Sequence, residues 1–276
     1  MAEIRLIAID LDGTLLDSQK RLSYKNETVL KECIRQGIWV VPCTGRIWGG
    51  VPGFLRDFPG IRYAITTNGA IIEDVVNQAV VDEHKIPCGL ALEILRMARQ
   101  FHTMYDAYCG GQAYGEERFM SCMGEYGIAP LIQKMVQTTR NVVPDVWAQI
   151  KSLDRPVEKI NYFFGDMEER ARAREALEAR GDVVVTSSFP NNLEINAPGA
   201  TKGDAILRLA AHLGLKPEQT MGFGDGGNDV TMMQMAGIGV AMGNAEDSVK
   251  EVADYLTLTN DEDGVAVAIE RLIWGR

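Results

Sequence analysis

Asp10 and Asp12 stand two residues apart where an almost unbroken apolar run, Ile4 to Ile9, comes to an end, and Gly13 and Thr14 follow at once. Such a run suits a strand buried on both faces of a parallel sheet. Ligands of these sheets bind beyond the carboxyl ends of the strands. Residues i and i+2 of a strand share a side, so the two carboxylates can act together, and Gly13 lets the chain turn sharply beyond them. Alone, the segment also suits an ordinary aspartate–glycine turn. Two neighbouring carboxylates repel unless a cation sits between them, so the pair reads as a metal-assisted site.

Three further segments offer partners. The apolar stretch Ile38 to Cys43 runs into Thr44-Gly45-Arg46, a hydroxyl and backbone amide at a strand exit that suit an anionic oxygen. Thr201 can cap the apolar-periodic helix carrying Ala205, Ile206, Leu209 and Ala210, which puts Lys202 in its first turn. A lysine there opposes the helix dipole; it is either a solvated surface charge or a fixed cation. Finally, Met221 to Asp229 follows another short strand and puts Asp225, Asn228 and Asp229 on a glycine-rich turn where that strand exits. That turn lacks the alternating oxygen ligands and distal glutamate of an EF-hand loop.

In this order the four segments resemble the motifs of the haloacid dehalogenase-like phosphatase superfamily. Asp10-x-Asp12-x-Thr14 matches the nucleophile motif, Thr44 the second motif, Lys202 the third, and Gly224-Asp225-x-x-Asn228-Asp229 the fourth. Thr67-Asn68-Gly69-Ala70 and Ala241-Met242-Gly243-Asn244-Ala245 resemble segments of the Cof-like branch. The resemblance implies an α/β fold, a Rossmann-like doubly wound parallel sheet core with an inserted α/β cap. It implies Asp10 as nucleophile and Asp12 as general acid and base. Mg²⁺ would be held by Asp10, the Asp12 carbonyl and Asp225, with Asp229 and Asn228 acting through water or steadying the loop. Thr44, Gly45, Arg46, Lys202 and Asn228 would receive the phosphoryl group. The implied partner is a small phosphomonoester, a sugar or sugar-acid phosphate in preference to pyridoxal phosphate or flavin mononucleotide. A phosphomutase of the same superfamily and a catalytically silent binding module are the alternatives. A receiver domain pairs similar residues, but has about half this length and lacks the fourth segment.

Length and charge bear on the same question. At about 150 residues per domain, 276 residues suit two hydrophobic cores. The chain is 46% apolar and 24% charged, with no run near the roughly 18 apolar residues of a membrane span. A net charge of −10 argues against nucleic acid and makes local cations necessary for an anionic substrate. Five cysteines, odd in number and without paired metal-ligand spacing, read as reduced thiols of a cytoplasmic protein; monomer and homodimer stay open.

The core expected at 1–82 and 198–276 carries a helix over Ser23 to Gln36, a third strand over Tyr63 to Thr67, and a loop or broken helix around Gly49 to Gly53, where glycines and Pro52 oppose helix formation. The stretch 83–197 is too long for a loop and reads as an inserted cap, one of small size. Within it the pattern predicts helices over Leu90 to Phe101, Pro130 to Gln137 and Met167 to Arg180. Strands are predicted over Thr103 to Cys109, Gln112 to Glu117, Lys159 to Phe164, Val183 to Ser187 and Asn192 to Ile195. Tyr105, Tyr108, Tyr114 and Arg118 flank glycine turns and suit a pocket; Glu194 and Asn196 suit hydroxyl groups. Of these, Tyr108, Arg118 and Glu194 are the candidates for reading the leaving group.

Overall fold

A computed structural model describes residues 3–276. In chain order the first part contains β1 (Leu6–Ile9), α1 (Tyr24–Arg35), β2 (Trp39–Pro42), α2 (Gly53–Arg56), β3 (Tyr63–Thr66), β4 (Ile71–Asp74) and β5 (Ala79–Glu83). There follow α3 (Cys88–Ala98), β6 (Met104–Cys109), β7 (Gln112–Glu116), α4 (Glu117–Met120), α5 (Pro130–Thr139), β8 (Arg140–Val143), α6 (Val146–Leu153), β9 (Lys159–Phe163), α7 (Met167–Glu178), β10 (Val184–Thr186) and β11 (Asn192–Asn196). The last part holds α8 (Lys202–His212), β12 (Thr220–Gly224), α9 (Val230–Met235), β13 (Ile238–Ala241), α10 (Asp247–Lys250), β14 (Tyr255–Leu256) and α11 (Gly264–Leu272). The chain divides into two compact units, one built from residues up to Glu83 with Thr201–Arg276, the other from His84–Ala200.

The first unit is a five-stranded sheet in the order β14-β13-β12-β1-β2, parallel throughout. Every residue of β1 and β12 is buried, as the continuous apolar runs require, so helices must cover both faces. Pairs α1 with α11 and α8 with α9 do so. A separate antiparallel meander, β3-β4-β5, joins the edge of β2 through a parallel bridge between Cys43 and Ile65. Helix starts follow their caps: the Ser23 hydroxyl accepts from the Asn26 N–H at 3.0 Å, and Thr201 accepts from the Asp204 N–H at 3.1 Å. Between β2 and β3 the glycines leave one 3₁₀ turn, Trp48–Gly50, and the single helical turn of α2, the broken helix their composition predicts.

The second unit has a six-stranded sheet, β10-β11-β9-β6-β7-β8, antiparallel except for β7 with β8. Alternation sorts its two faces. Tyr105, Ala107, Ile160, Tyr162, Leu193 and Ile195 lie on the side that carries α3, α6 and α7, where the Tyr162 hydroxyl donates to the Ile94 carbonyl at 2.5 Å. Asp106, Tyr108, Lys159, Asn161, Glu194 and Asn196 lie on the other. The sequence reading assigned nothing to 140–153, where β8 and α6 stand. Pro144 separates the two elements, and Asp145 caps α6 by accepting from the Ala148 N–H at 3.0 Å. With β8 the unit has six strands where the sequence predicted five.

Candidate active site

Three adjacent strands deliver the site. β2, β1 and β12 lie side by side and parallel, so the residues just past their carboxyl ends, Thr44, Asp10 and Asp225, come together at one sheet edge. The Asp10 N–H donates to the Phe223 carbonyl at 3.0 Å, which extends the β1–β12 ladder to the carboxylate itself. Oxygens of Asp10, Asp225 and Asp229 all lie within 4.8 Å of one another.

Lys202 closes this cluster. Its ammonium is fully buried and donates to Asp10 Oδ1 and Asp229 Oδ1, each at 2.6 Å. The penalty of a cation in the first turn of α8 is thereby offset by two carboxylates. Burial alone would drive the lysine toward neutrality, but Asp10 and Asp229 hold it well above its ordinary value. Three carboxylates against one ammonium leave an excess of negative charge. Burial, with Asp229 and Asp225 adding to it, pushes Asp10 well up despite Lys202, and burial with Asp229 pushes Asp225 to about 7. A buried, all-oxygen cluster with uncompensated charge fits a hard divalent cation.

Asp229 also fastens the loop: its Oδ2 accepts the N–H groups of Asp225 and Gly226, both at 3.0 Å. The turn permits nothing larger than glycine at position 224, where a Cβ would stand 2.3 Å from the Asp229 carboxyl carbon. Gly13 has φ +91°, and a Cβ there would stand 2.3 Å from Asp225 Oδ2. Thr14 then donates to Asp225 Oδ1 at 2.6 Å. Gly13→Ala should therefore displace Asp225 while leaving the sheet intact. We expect a loss of activity on the order of 10²-fold, as an ångström-scale displacement of a reacting group brings, with little change in the circular dichroism spectrum.

Around this centre several residues stand where sequence reasoning did not put them. Arg46, expected at the phosphate, grips Asp12 instead: Nε donates to Oδ2 and Nη2 to Oδ1, both at 2.7 Å, and Nη1 donates to the Gly50 carbonyl at 2.8 Å. Lys20, unnoticed in the sequence, adds a 2.8 Å ion pair to Asp12 Oδ1. Burial would raise the Asp12 carboxyl, but hydrogen bonds and charge from Arg46, helped by Lys20, hold it below its ordinary value. The turn Thr44-Gly45-Arg46 is zipped to Thr67-Asn68: the Asn68 N–H donates to the Thr44 carbonyl and the Thr67 N–H to the Arg46 carbonyl. Asn68, at φ +61°, accepts from Asn228 Nδ2 at 3.0 Å, so Asn228 is directed to this turn. Asn244 donates to the Gly13 carbonyl at 2.8 Å, which gives the 241–245 segment its place beside the first loop.

In the second unit the candidates part company. Tyr108 lies on the polar sheet face below two cations, Arg140 at 5.1 Å and Lys159 at 5.0 Å from its ring, and Lys159 donates to Glu194 at 2.7 Å. On the same face Arg140 pairs with Asp106, whose other oxygen accepts from Asn161 Nδ2 at 2.7 Å. Arg118 belongs to the opposite side, with Tyr105 and Glu116, at a cavity of about 490 Å³ walled by Phe119 and Tyr126. There it donates to Glu116 at 2.5 Å and to the Tyr105 hydroxyl at 2.9 Å. Tyr105 and Arg118 therefore do not share a pocket with Tyr108 and Glu194.

The sequence profile of haloacid dehalogenase-like hydrolases matches residues 7–269. Phosphatase YwpJ of Bacillus subtilis is 33% identical over 98% of this chain and 100% of its own. The 5-amino-6-(5-phospho-D-ribitylamino)uracil phosphatase YcsE of the same organism is 31% identical over 98% of this chain and 96% of its own. A solved structure of a haloacid dehalogenase-like hydrolase from B. subtilis superposes with a TM-score of 0.87, at 31% identity, over 98% of this chain and 100% of that one. Among the described residues no helix is long and apolar enough to cross a membrane.

Proposed function

Because this chain belongs to the haloacid dehalogenase-like hydrolases, in their Cof-like branch, and is a phosphatase, we propose that it hydrolyses a small phosphomonoester through an aspartyl-phosphate on Asp10. The observation that carries the reading is the cluster of Asp10, Asp229 and the half-buried Asp225, with the buried Lys202 ammonium bonded to the first two. Nothing about an ordinary turn calls for three carboxylates in contact.

In this mechanism an Asp10 oxygen attacks phosphorus and the bond to the leaving oxygen breaks. Asp12, a carboxylate between Arg46 and Lys20 before substrate arrives, takes up a proton as the anionic phosphate binds beside it, gives that proton to the leaving oxygen, then takes one from the water that splits the aspartyl-phosphate and frees inorganic phosphate. Lys202 works against burial in favour of the Asp10 carboxylate and holds it in place, and with Thr44 and the backbone of Gly45 it meets the charge of the transferring phosphoryl group. Asp10, the Asp12 carbonyl and Asp225 would hold Mg²⁺, and Asp229 keeps the Asp225 turn in shape. When bound, the cation neutralises the carboxylate excess and phosphate oxygens.

Within the second unit, taken by itself, we propose the polar face of the sheet as a surface for hydroxyl groups. Its charges form two pairs, Asp106 with Arg140 and Lys159 with Glu194, so it offers hydrogen bonds without a surplus of either sign. A neutral, hydroxyl-rich group such as a sugar or polyol matches this better than a second anion, and a ribityl phosphate of the kind named for YcsE is within the class. Unpaired thiols favour a reducing, cytoplasmic setting, and we place the protein there as a monomer or homodimer.

The test is phosphate release from hexose, pentose and polyol phosphates, sugar-acid phosphates, pyridoxal phosphate and flavin mononucleotide, with Mg²⁺ and after EDTA. We expect the highest kcat/KM on a neutral sugar or polyol phosphate and loss of at least about 10²-fold on chelation, the scale of a missing electrostatic stabiliser. Chelation without effect would remove the metal from the proposal. Isomerised substrate in place of free phosphate would mean a mutase.

A further inference from the structure

Lys20 has no place in the four motifs, yet its ammonium reaches the carboxylate that is given the proton-transfer role. We infer that Lys20 is a positioning residue for Asp12, holding its carboxylate, together with Arg46, in the one orientation its proton-transfer role uses; the inference rests on the acid–base reading of Asp12 above. The approach is specific. Asp12 Oδ1 receives Lys20 Nζ at 2.8 Å and Arg46 Nη2 at 2.7 Å, while Oδ2 receives Arg46 Nε at 2.7 Å. The guanidinium is also anchored through Nη1 on the Gly50 carbonyl, so Arg46 fixes the plane of the carboxylate. Lys20, on a flexible stem and 40% exposed, is the donor able to yield to a substrate oxygen and return.

An exposed lysine near an aspartate is ordinarily a weak surface pair. Here the chain is bent to deliver it. Lys20 sits at φ +62°, a conformation in which a side chain is strained, and its N–H donates to the Asp17 carbonyl at 2.8 Å. The Asp17 carboxylate receives the N–H groups of Gln19 at 2.9 Å and Arg21 at 2.8 Å, and the Ser18 N–H donates to Asp261 at 2.8 Å. A turn fastened on both sides of Lys20, with the lysine in a left-handed conformation, aims the ammonium at one atom.

The proton balance defines the role. As the ester P–O bond breaks, a proton carried on Asp12 passes to the leaving oxygen, so the carboxyl must already be turned to that oxygen. In the second step the same carboxylate takes a proton from water. The contribution of Lys20 is therefore greatest when the leaving oxygen needs a proton, as in an alkyl ester, and least for p-nitrophenyl phosphate, whose leaving group departs readily as an anion.

The experiment compares kcat and KM of wild type, Lys20→Met, Lys20→Arg, Lys20→Gly and Asp12→Asn on the best alkyl phosphate and on p-nitrophenyl phosphate. Lys20→Met should lower kcat on the alkyl ester about tenfold, a fraction of the roughly 10²–10⁴-fold that general acid–base catalysis supplies, with KM within about twofold. The loss on the aryl ester should be clearly smaller. Lys20→Arg should recover most of it, and Lys20→Gly, which relaxes the turn but removes the ammonium, should behave like Lys20→Met. Equal losses on both esters, a rise in KM alone, or no change would overturn the inference. If Asp12→Asn separates the two esters and Lys20→Met does not, the Lys20 role fails and the acid–base reading survives. If Asp12→Asn itself shows no separation, both fall.

Discussion

Asp10→Asn should lower phosphate release on the order of 10⁴-fold or more, the scale seen when the nucleophile of a covalent mechanism is removed. The amide is nearly the size of the carboxylate, so the packing around position 10 changes little. The Asp10 N–H bond to Phe223 lies in the backbone and persists. What is lost is the anionic oxygen that attacks phosphorus, together with one of the two carboxylates bridged by Lys202. Two readouts bear on the result. Denatured wild-type enzyme quenched during turnover with labelled substrate should retain phosphate on Asp10, and the variant should retain none. A variant that keeps more than a few per cent of the activity, or still carries covalent phosphate, would move the nucleophile elsewhere.

The elements that deliver Asp10 and Thr44 were legible because each follows an apolar run, the pattern of a strand buried on both faces, and Asp225 because it stands on a glycine-rich acidic turn after a short strand. Lys202 was legible as the residue after a capping threonine, although the sequence could not decide between a solvated and a buried charge. The structure decides it, because α8 packs on α9 and brings the ammonium down between Asp10 and Asp229. The Arg46–Asp12 pair was not legible for a related reason. The position of Arg46 after a strand places its backbone at the site, but where a long side chain ends depends on what the neighbouring strand presents, here Asp12. Lys20 gave no local signal beyond a turn. The parity of Tyr105 and Tyr108 was available from the two-residue period, since residues three apart in a strand face opposite ways, but their shared chemistry grouped them. β8, four residues, and α6, eight, gave no reading in the sequence: both are too short to show a clear period of their own.

Lys202→Met should be the most destabilising single change at the site. The side chain is fully buried and touches Asp10 and Asp229 at 2.6 Å each. Methionine fills similar volume, so cavity formation contributes little; the damage is electrostatic. Removing one partner of a buried ion pair leaves an uncompensated charge and costs about 3–5 kcal/mol, and here two carboxylates lose the same cation. Activity should fall on the order of 10²–10³-fold as well, since the lysine also meets the phosphoryl charge. Two tests separate this account from simple misfolding. Adding Mg²⁺ should raise the thermal midpoint of the variant more than that of wild type, because a bound cation replaces part of the missing charge. In the double variant Lys202→Met with Asp229→Asn, one of the stranded carboxylates becomes neutral, so stability should lie above the sum of the two single losses, a coupling of 0.5–3 kcal/mol in the usual range for contacting residues. Strict additivity with no response to Mg²⁺ would mean that Lys202 matters only as packing. The cluster could not then be the charged centre that the mechanism requires.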